Sequence, residues 1–117
     1  MKKSILVLVE DLLFSVQLQD TAKKLGYAVV VVQQEGDFSQ QLENAPDLVL
    51  VDTTVKHVDW TKLVRAAKSR QRKVLAFGNH GDLEARDRAL AAGADVVLAN
   101  AAVATNMARL LEKHTQG

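Results

Sequence analysis

Five short apolar runs dominate this sequence: residues 4 to 9, 28 to 32, 48 to 51, 73 to 77 and 95 to 99, each rich in valine, leucine or alanine. Most of them lack the alternation of polar and apolar residues that a half-exposed strand shows, so they read as strands covered on both faces, as in a parallel sheet. Segments with helical spacing follow each run. Phe14, Leu18, Ala22 and Leu25 form one stripe, Trp60, Leu63, Val64 and Ala67 another, and Val103, Met107, Leu110 and Leu111 a third. A second helix around Phe38 to Leu42 is short, and a fourth, Leu83 to Ala92, carries a weaker stripe. Gly26 closes the first helix, Pro46-Asp47 opens the third strand, Asp82 is suited to an N-cap, and Gly93 ends the fourth helix.

The order is therefore (βα)5 over residues 1–117, one domain of the α/β class with helices on both faces of a five-stranded sheet. Right-handed crossovers make the sheet doubly wound, and the flavodoxin-like strand order 2-1-3-4-5 is the common solution. With 117 residues, 48% of them hydrophobic, the chain can build one continuous core. After Leu111 only a short polar tail follows, so no attached output domain is expected.

Charge narrows the functions. Lysine plus arginine total 15 against 14 aspartate plus glutamate, so no overall field favours nucleic acid or an anionic membrane. The basic run Lys68 to Lys73 lies where the third helix ends, and cations there complement the helix dipole; nucleic-acid binding is not expected from it. No cysteine is present, which removes disulfides, thiolate metal sites and thiol nucleophiles. The apolar run after Met1-Lys2-Lys3 meets Glu10 and Asp11 too soon for a secretory signal. No apolar stretch approaches the roughly 20 residues of a membrane span. A cytoplasmic location, with no membrane association, is the expectation.

In an open parallel sheet, ligands bind beyond the carboxyl ends of the strands, where the direction of connection switches. Strand 1 ends in Val9-Glu10-Asp11 and strand 3 in Leu48-Val49-Leu50-Val51-Asp52, so three carboxylates should meet at that switch. Such a cluster suits a hard cation such as magnesium. The same acids could equally serve as helix caps. His80 and Asn79 should lie on the rim of the crevice, in an exposed loop, while His57 and His114 have no partner at metal-ligand spacing and read as surface residues. Thr53 and Thr54 could shape the loop after Asp52, but neither has a base nearby that would make it a nucleophile. Trp60 anchors the third helix.

On these residues the chain resembles the receiver domain of bacterial two-component response regulators, of the chemotaxis-regulator kind. Glu10 and Asp11 match the family's acidic pair and Asp52 its phosphoacceptor; Ala45 to Asp52 resembles its third strand, and Ala89 to Asp95 its entry to the fifth. The likeness covers nearly the whole chain and implies a phosphorelay signalling protein that binds magnesium through Glu10, Asp11 and Asp52 and is not an enzyme. A protein partner, either a sensor kinase or a downstream target, is implied with it. The resemblance places that contact on the face of the fourth helix, fifth strand and fifth helix, where Ala101, Ala102 and Ala104 are small; a homodimer could use the same face.

The departures make it an atypical member. Where the family has a serine or threonine after strand 4, this chain has Gly78; where it has a lysine and then a proline after strand 5, this chain has Asn100 and Ala101. Val55, Lys56 and Trp60 fall on the family's methionine, proline and glycine after the acceptor, and the first helix starts about one residue early. A phosphoryl group on Asp52 would add nearly two negative charges beside Glu10 and Asp11. A lysine about 4 Å away would offset that by on the order of 4 kcal/mol at an effective dielectric near 20. Asn100 supplies a hydrogen bond but no charge, and Lys56 is the one nearby cation that could fold back. The alternative, from another class, is a small flavodoxin-like ligand-binding domain or enzyme that uses the acidic crevice with Asn79, His80 and Asn100.

Overall fold

The computed structural model describes residues 2–116. Its elements alternate as expected: β1 (Ser4–Leu8), α1 (Leu12–Lys24), β2 (Ala28–Val32), α2 (Glu35–Leu42), β3 (Leu48–Asp52), α3 (Trp60–Ser69), β4 (Val74–Gly78), α4 (Leu83–Ala92), β5 (Val96–Ala99), α5 (Asn100–Thr105) and α6 (Met107–Thr115). All pairings are parallel and the sheet order is β2-β1-β3-β4-β5. This is the flavodoxin-like order expected from the crossover rule.

The two faces of the sheet carry separate cores because successive side chains on a strand point to opposite sides. Val49, Val51 and Ala76 pack with Phe38, Leu63, Val64 and Ala89 beneath α2, α3 and α4. Leu48, Leu50, Leu75 and Phe77 pack with Phe14, Leu18, Val103 and Met107 beneath α1, α5 and α6. The three central strands are almost wholly buried, which is why their runs show no polar alternation. The edge strands β2 and β5 are partly exposed.

Helix ends follow local chemistry. Asp11, Asp59 and Asp82 each cap a helix by accepting a backbone N–H from the residue three places on: Phe14, Lys62 and Ala85. Gly93 ends α4 in the left-handed conformation at φ 110°, where a side chain would also press on Lys68.

Three expectations need correction. The last helix is broken: Asn106 separates α5 from α6, and its backbone is not helical at φ −118°, ψ 29°. The stripe Val103, Met107 and Leu111 is buried all the same, so a period of four residues survives the break. His114 is a buried residue, 7% exposed, because α6 turns that side inward. Gly78 closes β4 instead of following it, paired in register with Ala99. Among the described residues no helix is long and apolar enough to cross a membrane.

Candidate functional site

Adjacent strands β1 and β3 pair Leu8 with Val51, so the loop after β1 and the end of β3 open side by side. Glu10, Asp11 and Asp52 do reach this shared edge. Each is held there by different donors. Asp11 accepts the Phe14 N–H at 3.1 Å as the cap of α1. Glu10 accepts the Lys56 N–H at 3.3 Å, and its other oxygen lies 4.0 Å from His57 Nε2. Asp52 Oδ1 accepts both the Thr54 N–H at 2.8 Å and the Thr54 hydroxyl at 2.7 Å.

Asp52 is the buried member, with 4% of its surface exposed. Burial pushes its carboxyl above the ordinary range; the two bonds from Thr54 work the other way, and the negative charges of Glu10 and Asp11 add to the rise. Oδ2 accepts no hydrogen bond among the described residues. One oxygen of the acid is thus fixed and the other is open.

The donor chemistry is that of a hard-cation site, but the arrangement is not. Among the described residues no three acidic or histidine groups stand together so as to hold a metal ion. Glu10, Asp11 and Asp52 each spend one carboxylate oxygen on a hydrogen bond, so a magnesium ion would be held by their remaining oxygens. The alternative use of these acids as caps is what Asp11 does in the structure. Lys56 does not fold back; its backbone N–H is what touches Glu10, and its side chain is exposed.

Two cavities flank the end of β4. The smaller, about 260 Å³, holds Asp11, Asp52 and Asn100 over a floor of Phe14 and Phe77, whose rings stack 4.7 Å apart. Asn100 begins α5, and its Oδ1 is buried without a hydrogen-bond partner among the described residues. The larger, about 390 Å³, lies between the ends of β4, α4 and β5 and is lined by Thr53, Gly78, Asn79, His80 and Arg86 among others. Asn79 and His80 therefore belong to a different cavity from Asn100, and the single crevice expected from sequence is two.

Thr54 shapes the loop after Asp52 by donating twice to its carboxylate, a pairing the sequence reading does not specify. A signal was present, since a hydroxyl residue two places after an aspartate is well placed to close a local turn on its carboxylate. Gly78 is the second surprise. A Cβ built there would collide with Thr53 Oγ1, so the space is already filled from the turn that follows β3.

Comparison with solved structures decides the fold. The chain has the fold of a response-regulator receiver domain. A CheY-like receiver domain protein from Methanospirillum hungatei superposes with a TM-score of 0.85 at 20% identity, covering 98% of this chain and 94% of that one. A signal receiver domain from Bermanella marisrubri gives 0.84 at 18% identity over 99% and 100% of the two chains. The beryllofluoride-activated receiver domain of DrrB gives 0.82 at 19% identity over 97% of both. No family model and no curated relative matches the sequence. At such identities the likeness is one of architecture.

Proposed function

We propose that this protein is a receiver-type signalling module of the cytoplasm that acts through protein contacts and uses Asp52 as its phosphoacceptor. One observation carries the reading: Asp52 sits buried at the carboxyl end of the central strand, with Oδ1 held by Thr54 and Oδ2 free of hydrogen bonds. That oxygen can attack the phosphorus of an acyl phosphate or phosphohistidine, forming an O–P bond while the donor leaves with the electrons of its broken bond. The stacked Phe14 and Phe77 beneath it limit water on one side.

The module binds its partner, a kinase or a downstream protein, through exposed apolar side chains on two faces. Leu12, Leu13 and Val16 crown α1 beside the acceptor, with Leu13 83% exposed, and Leu83 and Leu90 stand out from α4. The α4 residues support the face of α4, β5 and α5, since β5 is an edge strand with an unpaired side that a second copy could also meet. Nucleic acid is not a partner in this reading: within the basic run, Lys68 is committed to Asp95 at 2.8 Å and Arg72 to the carbonyls of Ala45 and Pro46.

The test follows Trp60, which is 5% exposed, begins α3 shortly after Asp52 and lies under Arg88 at 5.1 Å. Acetyl phosphate with magnesium should add one phosphoryl group by mass and change Trp60 fluorescence, and Asp52→Asn should abolish both. Modification that persists in Asp52→Asn would falsify the assignment. Magnesium titrated alone tests whether Glu10, Asp11 and Asp52 hold a cation; a fluorescence change without phosphoryl transfer would leave a cation site in place of a phosphoacceptor.

A further inference from the structure

The sheet ends on β2 at one edge and on β5 at the other, and the two edges differ. The Ala28 N–H donates to the Lys3 carbonyl at 2.9 Å, and the Val32 carbonyl accepts the Val9 N–H at 3.2 Å. Bonding residues alternate along a parallel ladder, so Ala28, Val30 and Val32 spend their backbone groups on β1. Val29 and Val31 therefore turn their N–H and C=O groups to the open edge. Natural edge strands are guarded by lysine, proline, a bulge or an inward charge. This one carries no such guard: Ala28 to Gln34 reads Ala-Val-Val-Val-Val-Gln-Gln, and its register with β1 is unbroken from Ala28 to Val32. By contrast β5 is one residue shorter and passes straight into α5. Val30 lies on the same face as buried Val32, yet it is 40% exposed and lines a hollow of about 190 Å³ with Leu6 and Pro46.

We propose that two copies of this chain join edge to edge through β2, antiparallel about a two-fold axis at Val30, into one continuous sheet. In that register Val29 of each copy lies opposite Val31 of the other, and each such pair exchanges both of its backbone hydrogen bonds. Val30 meets its own copy at the intervening non-bonded position, where Cα atoms approach to about 4.5 Å and the exposed side chain is covered. Charge selects both the sense of pairing and a second copy as the occupant. Lys23 and Lys24 precede the neutral run, and Glu35 and Asp37 follow it. Antiparallel alignment of two identical segments brings the basic end of one to the acidic end of the other, whereas parallel alignment sets like charges together. Lys24 and Glu35 already pair with Asp20 and Lys62, but Lys23 and Asp37 hold no ion-pair partner among the described residues. The two-fold uses up both β2 edges, so assembly through this edge closes at two chains. The seam is separate from the acidic edge and from the face of α4, β5 and α5, and it holds whether or not Asp52 accepts a phosphoryl group.

Sedimentation equilibrium of the full chain should show a monomer–dimer equilibrium, and the Val29 and Val31 amides should exchange with solvent faster on dilution. The chain has no cysteine, so Val30→Cys reads the seam directly. Mild oxidation should link two chains through that position, while Leu13→Cys and Leu90→Cys, exposed on α1 and α4, should stay unlinked at the same concentration. Val31→Pro removes only an outward N–H, and Val30→Lys sets a charge against its own copy. Each should weaken dimerisation by at least about tenfold and leave the folded monomer intact. Should Val31→Pro unfold the chain, Val30→Lys and the cross-link decide. A dimer that survives Val30→Lys, links through Leu90→Cys in place of Val30→Cys, or grows past two chains overturns the inference. So does a chain that stays monomeric at every concentration, including one whose Val29 and Val31 amides are protected only by an added extended peptide.

Discussion

Aspartates stand at both ends of the sheet, and the two ends use them in opposite ways. At the amino end, Asp47 and Asp95 each immediately precede a strand and reach across to the first residue of a neighbouring one. Asp47 exchanges two bonds with Ser4, donating its N–H to the carbonyl at 2.9 Å and accepting the Ser4 N–H at 2.8 Å. Asp95 repeats the pattern with Val74 at 2.9 and 2.8 Å, and adds the Lys68 ammonium. At the carboxyl end, Asp11 and Asp52 bond only to residues two or three places away. The carboxylates at the amino end therefore tie distant elements together, and most of those at the other end are satisfied locally and leave the space between strands open. One end is a fastening and the other is the candidate site.

Their acidities differ in the same sense. Burial works to raise the Asp95 carboxyl, but the Lys68 bond, the Val74 N–H and the charges of Lys68 and Lys73 outweigh it and hold it below the usual carboxylate range. Asp52 is raised. An acid with a depressed folded pKa contributes stability above its unfolded value of 3.8 and loses it as the pH falls. One with a raised pKa does the reverse, so ionised Asp52 costs stability at neutral pH.

The largest effect should come from breaking the fastening. Asp95→Ala strips an acceptor from a strand N–H and leaves Lys68 unpaired, and should cost about 3 kcal/mol in urea unfolding. If Asp52→Ala cost as much, the contrast between the ends would collapse. Asp52→Asn keeps an acceptor for Thr54 and removes the buried charge, so it should stabilise the fold by about 1 kcal/mol at pH 7, or roughly 4 °C in melting temperature. That gain should shrink in acid, as the unsubstituted Asp52 becomes protonated.

The smallest effect concerns His114, at the fastened end. Burial lowers its pKa, the charges of Lys73 and Lys113 lower it further, and Asp95 opposes them weakly; its Nδ1 has no partner. A depressed histidine contributes stability above the unfolded pKa of 6.5 that is lost as pH falls through the folded value. His114→Leu should flatten the stability profile below that pH by a few tenths of a kcal/mol, and an unaltered slope would place the acid sensitivity elsewhere.

The strands and most helices were legible because burial on two faces writes itself as unbroken apolar runs. Residues such as Leu50 and Val51 announce their strand without any knowledge of what covers them. The break at Asn106 was not legible, since a buried spacing of four from Val103 to Met107 to Leu111 passes across it unchanged. His114 was misjudged for a related reason: a lone polar residue near a chain end reads as exposed until the packing of α6 is known. At the site, the meeting of Glu10, Asp11 and Asp52 at one edge was readable from topology, and their separate hydrogen-bond partners were not.

The order of strands, the position of the switch point and the presence of an acid at the end of β3 follow from the sequence alone, because periodicity and handed crossovers are local and general rules. What only the tertiary structure decided is how side chains from different segments share space. Gly78 looks like a lost hydroxyl in the linear chain, and Thr53 looks like a loop residue. Only the register that sets them side by side shows one filling the place of the other, because excluded volume acts between neighbours in space and leaves no mark on either residue by itself.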